Sequence, residues 1–358
     1  MTAMSTAPRS VRVGLVGYGL AGRVFHAPLI AATKGLTLAA VVTKDKERRA
    51  RLAMEHPRAV GLDAPEALFE KSLALDLVVV ATPNRSHVPL AQAALEAGLN
   101  VVVDKPFAPT SNAARALAAT ARARGLVLSV FQNRRLDGDF LTVRKLMSEG
   151  ALGTIHRFES RFERYRPTVD AVWRESGDAD DAGGVLFDLG SHLIDQALVL
   201  FGGVRTVFAE VLHRRAGSVA DDDAFVALEH LSGVRSHLWM SKVVASSGPR
   251  FRVVGDEAVY TKFGLDGQEP ALAAGALPGS KGFGEEPSEQ WGTIATEGGS
   301  RTVPTELGSY PRFYEGMAAA LLAGAPVPVD PLESIAGLEL IEAARSSATS
   351  GRVERIAG

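Results

Sequence analysis

The run Val11-Arg12-Val13-Gly14-Leu15-Val16 passes directly into Gly17-Tyr18-Gly19-Leu20-Ala21-Gly22 near the start of the chain. This glycine spacing is typical of a strand-to-helix turn that cradles the pyrophosphate of a dinucleotide. A helix predicted over about Ala21–Thr33 would present its free N–H groups to the phosphates. A lone glycine pattern is a weak signal, but the strand before it and the helix after it favour a ligand site over a bare turn. We therefore expect cofactor contacts from Gly17, Gly19, Leu20, Ala21 and Gly22.

Strand and helix patterns alternate through the first 130 residues. The predicted strands are Arg12–Val16, Thr37–Val42, Leu77–Ala81, Val101–Asp104 and Val127–Val130. Strands rich in Val with little polar alternation indicate a parallel sheet that is covered on both faces. The expected fold class is therefore α/β, with a Rossmann doubly wound parallel sheet over residues 1–130.

The pattern changes after Val130, where helices become fewer and alternating runs lengthen. The predicted strands are His156–Tyr165, Arg205–Leu212, Phe225–Leu231, Val234–Val244, Phe251–Val254 and Ala258–Phe263. One helix, Leu186–Phe201, interrupts them, a loop is predicted over Ala271–Pro287, and helices near Pro311–Ala323 and Pro331–Ser347 close the chain. This arrangement predicts an α+β domain over residues 131–358, with an open, mostly antiparallel sheet. We expect this domain to bind substrate and to form a homodimer or homotetramer through the open sheet.

Composition narrows the class of protein. The chain has 358 residues, 46% of them apolar and 22% charged, with a net charge of −2. This balance gives no reason to expect nucleic acid or an acidic membrane as a partner. The sequence contains no cysteine, which excludes disulfides and thiolate metal sites.

We see no secretory signal in the first ten residues and no run near the roughly 18 apolar residues of a membrane span, so we expect a cytoplasmic protein. The run Asp221–Asp223 is interpreted as a solvated turn, and no metal site is predicted.

Lys105 follows the predicted strand Val101–Asp104 and precedes Pro106. A lysine at the carboxyl end of a parallel strand lies at the rim where ligands bind in this fold class. From this residue alone, a surface lysine in a loop is an equally good interpretation.

Asp188 and His192 are four residues apart within a predicted helix, a spacing that places two side chains on one face. A histidine beside a carboxylate can act as a general base near neutral pH. The alternative is that Asp188 caps the helix and His192 is a core histidine, and the residues alone slightly favour it.

The end of the second strand should read the ribose of the cofactor. An NAD enzyme normally offers an acid there, but this chain offers Thr43 and Lys44, followed by Arg48 and Arg49. A hydroxyl and cations suit a 2′-phosphate, so NADP is the expected cofactor and NAD the second choice. Asp45 could still be the acidic residue that binds the ribose if the second strand runs longer than predicted.

Further polar residues are expected around the ligand. Thr82, Pro83 and Asn84 end the strand Leu77–Ala81, His87 follows on the next helix, and Asn133 and Arg134 lie where the domains should meet. Additional cations stand at Arg161, Arg164, Arg166 and Arg174, with Tyr165 and Trp173 among them. So many donors suit a polyol or sugar, whose hydroxyls need hydrogen-bond partners once desolvated. Taken singly, each arginine is better explained by ordinary surface ion pairing.

Taken together, these motifs resemble the glucose–fructose oxidoreductase and inositol dehydrogenase family over essentially the whole chain. The sequence Asp104-Lys105-Pro106 is similar to the family signature Glu-Lys-Pro, and Asp188 and His192 match its Asp-x-x-x-His pair. The resemblance narrows to the branch of NADP-dependent scyllo-inositol dehydrogenases. That branch is matched by Gly17–His26, Asn133–Arg135, Tyr165–Pro167, Trp173–Glu175, Asp188–His192 and Gly264–Glu269.

The resemblance implies roles for these residues. Lys105 would bind the reacting oxygen on the nicotinamide side, His192 would take the hydroxyl proton, and Asp188 would orient the substrate and tune His192. Trp173 and Arg174 would contact the nicotinamide end of the cofactor. The cofactor set is completed by Thr43, Lys44, Thr82, Pro83, Asn84 and His87, and the substrate set by Asn133, Arg134 and Tyr165.

The sequence therefore predicts an oxidoreductase that interconverts a secondary alcohol and a ketone of a cyclic polyol or sugar. Catalysis would depend on placing the substrate C–H against the nicotinamide and on a positioned base. Two alternatives stay open. One is a redox-neutral glycoside hydrolase of the same family with tightly held NAD, and the other is a non-catalytic sugar or dinucleotide sensor. The presence of Lys105, Asp188 and His192 argues against the sensor.

Overall fold

The computed structural model describes residues 10–169 and 173–356. Its first half is a six-stranded sheet in the order β3-β2-β1-β4-β5-β6, with every neighbouring pair parallel. The strands are β1 (Val11–Val16), β2 (Leu36–Val42), β3 (Val60–Leu62), β4 (Leu77–Val80), β5 (Asn100–Asp104) and β6 (Leu128–Phe131). The chain reverses its direction of winding between β1 and β4, so their carboxyl ends open a crevice for ligands. The predicted Rossmann sheet is confirmed.

Helices cover both faces of this sheet, and local signals define where they begin. The helices are α1 (Ala27–Ala32), α2 (Lys46–Glu55), α3 (His87–Glu96) and α4 (Ser111–Ala123). The Asp45 and Thr110 side chains cap α2 and α4 by accepting hydrogen bonds from backbone N–H groups in the first turn. A π-helical turn over Ala21–His26 precedes α1 and follows the glycine turn directly.

The second half contains a nine-stranded sheet in the order β14-β13-β12-β11-β7-β10-β9-β8-β15. Its strands are β7 (Ile155–Glu163), β8 (Val204–Leu212), β9 (Asp223–His230), β10 (Arg235–Ser241), β11 (Phe251–Gly255), β12 (Val259–Lys262), β13 (Gly292–Thr296), β14 (Gly299–Val303) and β15 (Glu354–Arg355). Among the described strand pairs of this second sheet, β7 and β10 alone are parallel. Buried residues alternate with more exposed ones along β9 and β10, as in a sheet with one covered face. The predicted open, mostly antiparallel sheet is confirmed.

The remaining helices are α5 (Gly138–Ser148), α6 (Ser191–Phe201), α7 (Gln268–Ala273), α8 (Pro311–Ala323) and α9 (Pro331–Ser350). The last two join the halves of the molecule, because α8 packs on α1 and β1 while α9 contacts α4, β6 and β8. The Glu342 carboxylate on α9 accepts hydrogen bonds of 2.7 Å from the backbone N–H and the hydroxyl of Ser111 on α4. The C-terminal helices therefore fix how the two sheets face each other.

Several elements differ from the sequence prediction. Strand β3, which has three residues, and the largely exposed hairpin β13–β14 were not predicted, because neither has a sustained apolar pattern. The predicted loop Ala271–Pro287 overlaps the end of α7. The solvated turn predicted at Asp221–Asp223 is wrong for its first two residues: Asp221 accepts from Leu186 N at 2.8 Å and Asp222 from Arg215 Nε at 2.9 Å, and both are buried.

One prediction about membranes also needs correction. By length and composition, the helical stretch Ala179–Phe201 is sufficient to cross a membrane, although no such run was expected. Most of this stretch is buried inside the protein, as in a core helix. Its apolar character follows from its position between the sheet and α9.

Candidate active site

The glycine turn after β1 is shaped so that only glycine fits at two of its positions. Gly17 has a φ of 101°, and a Cβ atom there would lie 2.3 Å from the Ala81 carbonyl oxygen. A Cβ atom on Gly22 would lie 2.0 Å from the Gly17 carbonyl oxygen, so this third glycine lets helix and strand pack closely. Gly19 is open by contrast, since the nearest atom to its Cβ position is Arg48 Nη1 at 3.7 Å.

A cavity of about 610 Å³ begins at this turn and follows the carboxyl ends of β1, β2, β4 and β5. The predicted residues that line it are Gly17, Gly19, Leu20, Ala21, Thr43, Lys44, Thr82, Pro83, Asn84, Lys105, Trp173, Arg174 and Asp188. This volume falls within the range of small-molecule and cofactor sites. Because the glycine turn leaves backbone N–H groups and open space at the crevice, the cavity fits a dinucleotide.

The ribose end of this cavity is bordered by cations. Strand β2 stops at Val42, and Lys44 and Arg48 line the cavity just beyond it. Asp45 caps α2 by accepting from Arg48 N at 2.9 Å, and Asp63 accepts from Arg49 Nη2 at 2.7 Å. The two carboxylates at this end therefore already have partners.

Lys105 lies at the inner end of the cavity, directly after β5. Its Nζ donates to the Asp188 backbone carbonyl at 2.7 Å and to Asp188 Oδ1 at 3.0 Å. Its backbone N donates to Asp104 Oδ1 at 2.8 Å, and the peptide bond to Pro106 is cis. The ammonium is thus held from across the cleft by Asp188, and the backbone of Lys105 is held by Asp104.

A second cavity of about 200 Å³ adjoins the first between the two sheets. The two share the lining residues Leu20, Ala21, Asp104, Lys105, Arg174 and Asp188. The smaller one adds Phe25, Phe131, Asn133, Arg134, Phe162, Arg164, Leu189, His192 and Glu269. We call this smaller space the inner cavity. It lies where a substrate would meet the end of the cofactor.

His192 is buried at the wall of the inner cavity. Its Nδ1 is buried and has no hydrogen-bond partner among residues 10–169 and 173–356. Burial lowers the pKa of the imidazole well below its ordinary value of 6.5, and the charges of Lys105 and Arg134 lower it further. His192 is therefore neutral near pH 7 and able to accept a proton.

Asp188 is ionised in the same environment. Burial by itself raises the pKa of its carboxyl, but the charges of Lys105 and Arg174 outweigh burial and hold the pKa below its usual range. The Arg174 guanidinium lies 3.7 Å from Asp188 Oδ1. Asp188 thus serves as the counter-ion of the cations at the junction of the two cavities.

The turn that carries Trp173 and Arg174 is anchored by a buried ion cluster. Glu175 accepts from Arg215 Nη2 at 2.6 Å and from Lys242 Nζ at 2.7 Å. The Arg174 guanidinium lies 4.4 Å from the centre of the Trp173 ring. Because β10 carries the chain directly to Lys242, the sheet of the second half positions this turn over the cofactor cavity.

Three predicted ligand contacts lie elsewhere. The His87 ring is within 2.9 Å of the Pro106 and Thr82 carbonyl oxygens, so it ties two rim loops together from beneath and lines neither cavity. The Tyr165 side chain is exposed, and Gly22 is covered by the glycine turn itself.

Asp188 lies in a π-helical turn over Leu186–Gly190 and pairs with Lys105.

Asn133 and Arg134 line the inner cavity, but the Arg134 guanidinium is already engaged by protein groups. It pairs with Glu269 and donates to the Tyr310 hydroxyl at 3.0 Å. Glu269 was missed as a candidate residue, although it ends the Gly264–Glu269 motif. Nothing in its local sequence indicates that it faces a site formed mainly by residues more than a hundred positions earlier.

A doubly wound sheet with a glycine turn, and a lysine, a carboxylate and a neutral imidazole at one cleft, define a nucleotide-dependent oxidoreductase. Residues 11–132 match the description "Oxidoreductase family, NAD-binding Rossmann fold", and residues 144–356 match "Oxidoreductase family, C-terminal alpha/beta domain". The chain belongs to this glucose–fructose oxidoreductase, inositol dehydrogenase and MocA (GFO/IDH/MocA) family. It is an NAD(P)-dependent dehydrogenase that acts on CH–OH groups, within the class of sugar and polyol oxidoreductases.

Similar proteins cover nearly the whole chain. The scyllo-inositol 2-dehydrogenase (NADP(+)) IolW of Bacillus subtilis is 36% identical over 96% of this chain and 95% of its own length. The uncharacterized oxidoreductase YdgJ of Escherichia coli is 40% identical over 95% of this chain and 96% of its own length. The yvaA structure from Bacillus subtilis superposes with a TM-score of 0.91 at 35% identity, covering 97% of this chain and all of that one. The YPO2259 structure from Yersinia pestis superposes with a TM-score of 0.90 at 40% identity, and the match covers 100% of this chain and 99% of that one.

Proposed function

We propose that this protein is an NADP-dependent dehydrogenase that interconverts a secondary alcohol and a ketone on a cyclic polyol or sugar related to scyllo-inositol. The observation that carries the proposal is the inner cavity, where Lys105, Asp188 and His192 meet at the end of a dinucleotide-sized cavity. The name of the similar IolW protein supports both the substrate class and the cofactor. We further propose that the protein works in the cytoplasm.

The cofactor would be held by the glycine turn and by the rim residues Thr82, Pro83 and Asn84. When bound, a nicotinamide supplies the hydride acceptor or donor. Trp173 and Arg174 line the inner end of that cavity and would exclude water from the nicotinamide side. The cations Lys44 and Arg48 line the cavity directly after β2 and support NADP over NAD; Asp45 lines it too, but its Oδ1 caps α2 and its Oδ2 lies 3.8 Å from Arg48 Nε.

In alcohol oxidation, His192 would accept the hydroxyl proton while hydride leaves the same carbon. Lys105 would donate a hydrogen bond to the oxygen that becomes the ketone, and its charge would stabilise the developing alkoxide. Asp188 would hold the Lys105 ammonium in place through the 3.0 Å ion pair. In ketone reduction the same groups would act in reverse, with His192 returning the proton.

Cofactor choice tests the NADP part of this proposal. Lys44→Asp should weaken NADP binding by about 10- to 100-fold, the scale of one charged hydrogen bond, and should leave NAD binding equal or better. Lys46→Asp is the matched control, because Lys46 begins α2 and does not line the cavity. Steady-state kinetics with both cofactors measure the effect. A wild-type preference for NAD of about tenfold or more would contradict the proposal.

We also propose that the open face of the nine-stranded sheet forms a homodimer or homotetramer. Phe225 and Trp239 lie side by side on this face with ring centres 5.1 Å apart, and the Arg161 guanidinium stacks 3.9 Å from the Trp239 ring centre. Such aromatic and arginine groups are enriched at interfaces. Light scattering of the purified protein should give a dimer or tetramer mass, and a monomer at micromolar concentration would contradict this assembly.

A further inference from the structure

Within residues 10–169 and 173–356, one cation that lines the inner cavity has no protein partner. Four cationic side chains line it, and three of them are paired: Lys105 with Asp188, Arg134 with Glu269, and Arg174 with Asp188. The fourth is Arg164, whose side chain makes no ion pair or hydrogen bond within the described part of the chain. Asp188 and Glu269 are therefore committed to these cations, and the third carboxylate of the cavity, Asp104, accepts from the Lys105 backbone N at 2.8 Å.

The backbone fixes where Arg164 points. Arg164 continues β7, since its N–H donates to the Ser241 carbonyl at 2.8 Å and its carbonyl accepts from Val244 N at 3.1 Å. Side chains two residues apart on a strand share a face, so Arg164 lies on the same side as the buried Phe162. The Phe162 ring centre is 6.2 Å from that of His192. Arg164 thus borders the same space as the proposed base.

Filling this cavity with a neutral substrate would be costly for Arg164. A guanidinium has five N–H donors and no acceptor, and it stays charged at any pH a protein experiences. A substrate that displaces water from around it without a counter-charge leaves a desolvated, unpaired charge, which is strongly unfavourable. A carboxylate removes this penalty, because it accepts two parallel hydrogen bonds from one guanidinium.

The electrostatics of the cavity agree with this geometry. Burial is the largest cause that lowers the pKa of His192, and the charges of Lys105, Arg134, Arg250 and Arg164 lower it further. Four cations and three carboxylates, Asp104, Asp188 and Glu269, line the inner cavity, so these side chains leave one net positive charge. An anionic ligand would be attracted to it.

We propose that the substrate carries a carboxylate, as in a uronic or aldonic acid, and that Arg164 binds it while a ring or chain hydroxyl is oxidised at His192. This inference rests on the proposed function and narrows its substrate to an acidic sugar. The carboxylate takes no part in the reaction. The hydride leaves the carbinol carbon for NADP⁺, the hydroxyl proton goes to His192, and the product is the keto acid with reduced cofactor.

Matched pairs of substrates test the inference. Glucose and glucuronate, galactose and galacturonate, and mannose and mannuronate are each supplied with NADP⁺ and with NAD⁺, and scyllo-inositol is included as a neutral polyol. For at least one pair we expect kcat/KM of the acid to exceed that of its neutral partner, and that of scyllo-inositol, by about tenfold or more. Arg164→Gln should lower kcat/KM for the acid by about 10- to 100-fold more than for the neutral partner. Arg166→Gln removes the same charge from an exposed position that lines neither cavity, and should change neither value.

The outcomes separate the two proposals. Turnover of scyllo-inositol or a neutral sugar at a rate equal to or above every acid would support the dehydrogenase and overturn the carboxylate. An equal loss for acid and neutral substrates in Arg164→Gln would also overturn it, since Arg164 would then bind hydroxyls. If no alcohol reduces either cofactor, the proposed function fails and the inference fails with it.

Discussion

Replacing His192 with alanine should lower kcat for alcohol oxidation by about 10²- to 10⁴-fold, the usual contribution of a positioned general base. The imidazole is buried at the inner cavity and is neutral near pH 7, as a base must be. Because His192 does not line the larger cavity, the variant should still bind NADP with the wild-type dissociation constant. Steady-state kinetics and a fluorescence titration with NADPH measure the two effects separately.

The pH profile distinguishes a base from a structural histidine. Alcohol oxidation requires neutral His192, and its pKa lies below 6.5, so kcat/KM should stay high as pH falls through 6.5 and decline only below it. Asp188→Asn removes the counter-charge of Lys105, which should lower the pKa of His192 further and move this acidic limb to lower pH. Near wild-type turnover in His192→Ala with an unchanged profile would make the histidine structural and place the base elsewhere.

Lys105→Ala should lower kcat by about 10²-fold or more, the scale observed when one electrostatic contact at a reacting centre is removed. The ammonium faces both cavities and donates two hydrogen bonds to Asp188, so its loss removes a positioned donor. Steady-state kinetics in both directions measure the effect.

The stability of the Lys105→Ala variant is the control for its activity. The side chain is partly exposed at the rim, so the thermal unfolding temperature of the variant should stay within a few degrees of the wild type. Lys71→Ala, at an exposed position away from both cavities, should change neither kinetics nor stability. A folded Lys105→Ala protein with full activity would remove Lys105 from the mechanism.

Much of the fold could be predicted from sequence because its signals are local. The Val-rich strands, the glycine turn and the helix Pro311–Ala323 are each defined within a few residues, and the structure has them within one or two residues of the prediction. Strand β3 was missed because it is only three residues long, and the hairpin β13–β14 was missed because its largely exposed residues form strands only through pairing with neighbours. The burial of Asp221 and Asp222 was missed because their partners lie in other segments.

The sequence indicated which residues form the candidate site more successfully than it indicated which of their side chains contact each other. The lysine at the end of β5 could be identified from the parallel-strand rule, but its ion pair with Asp188 joins positions 83 residues apart. The spacing of Asp188 and His192 predicted that they share one helix face, and in the structure Asp188 lies in a π-helical turn and pairs with Lys105. The unpartnered state of Arg164 is a property of the assembled cavity, which no local pattern expresses.

The central claim is hydride transfer between a secondary alcohol and NADP at the inner cavity. The most direct test supplies the purified protein with NADP⁺ and a panel of cyclic polyols, sugars and sugar acids, and follows reduced cofactor by absorbance and ketone by mass spectrometry. His192→Ala is run in parallel. We expect one ketone to form per NADPH for at least one substrate, and we expect the variant to lose this rate. Glycoside cleavage without net cofactor reduction, or no NADPH from any alcohol, would contradict it.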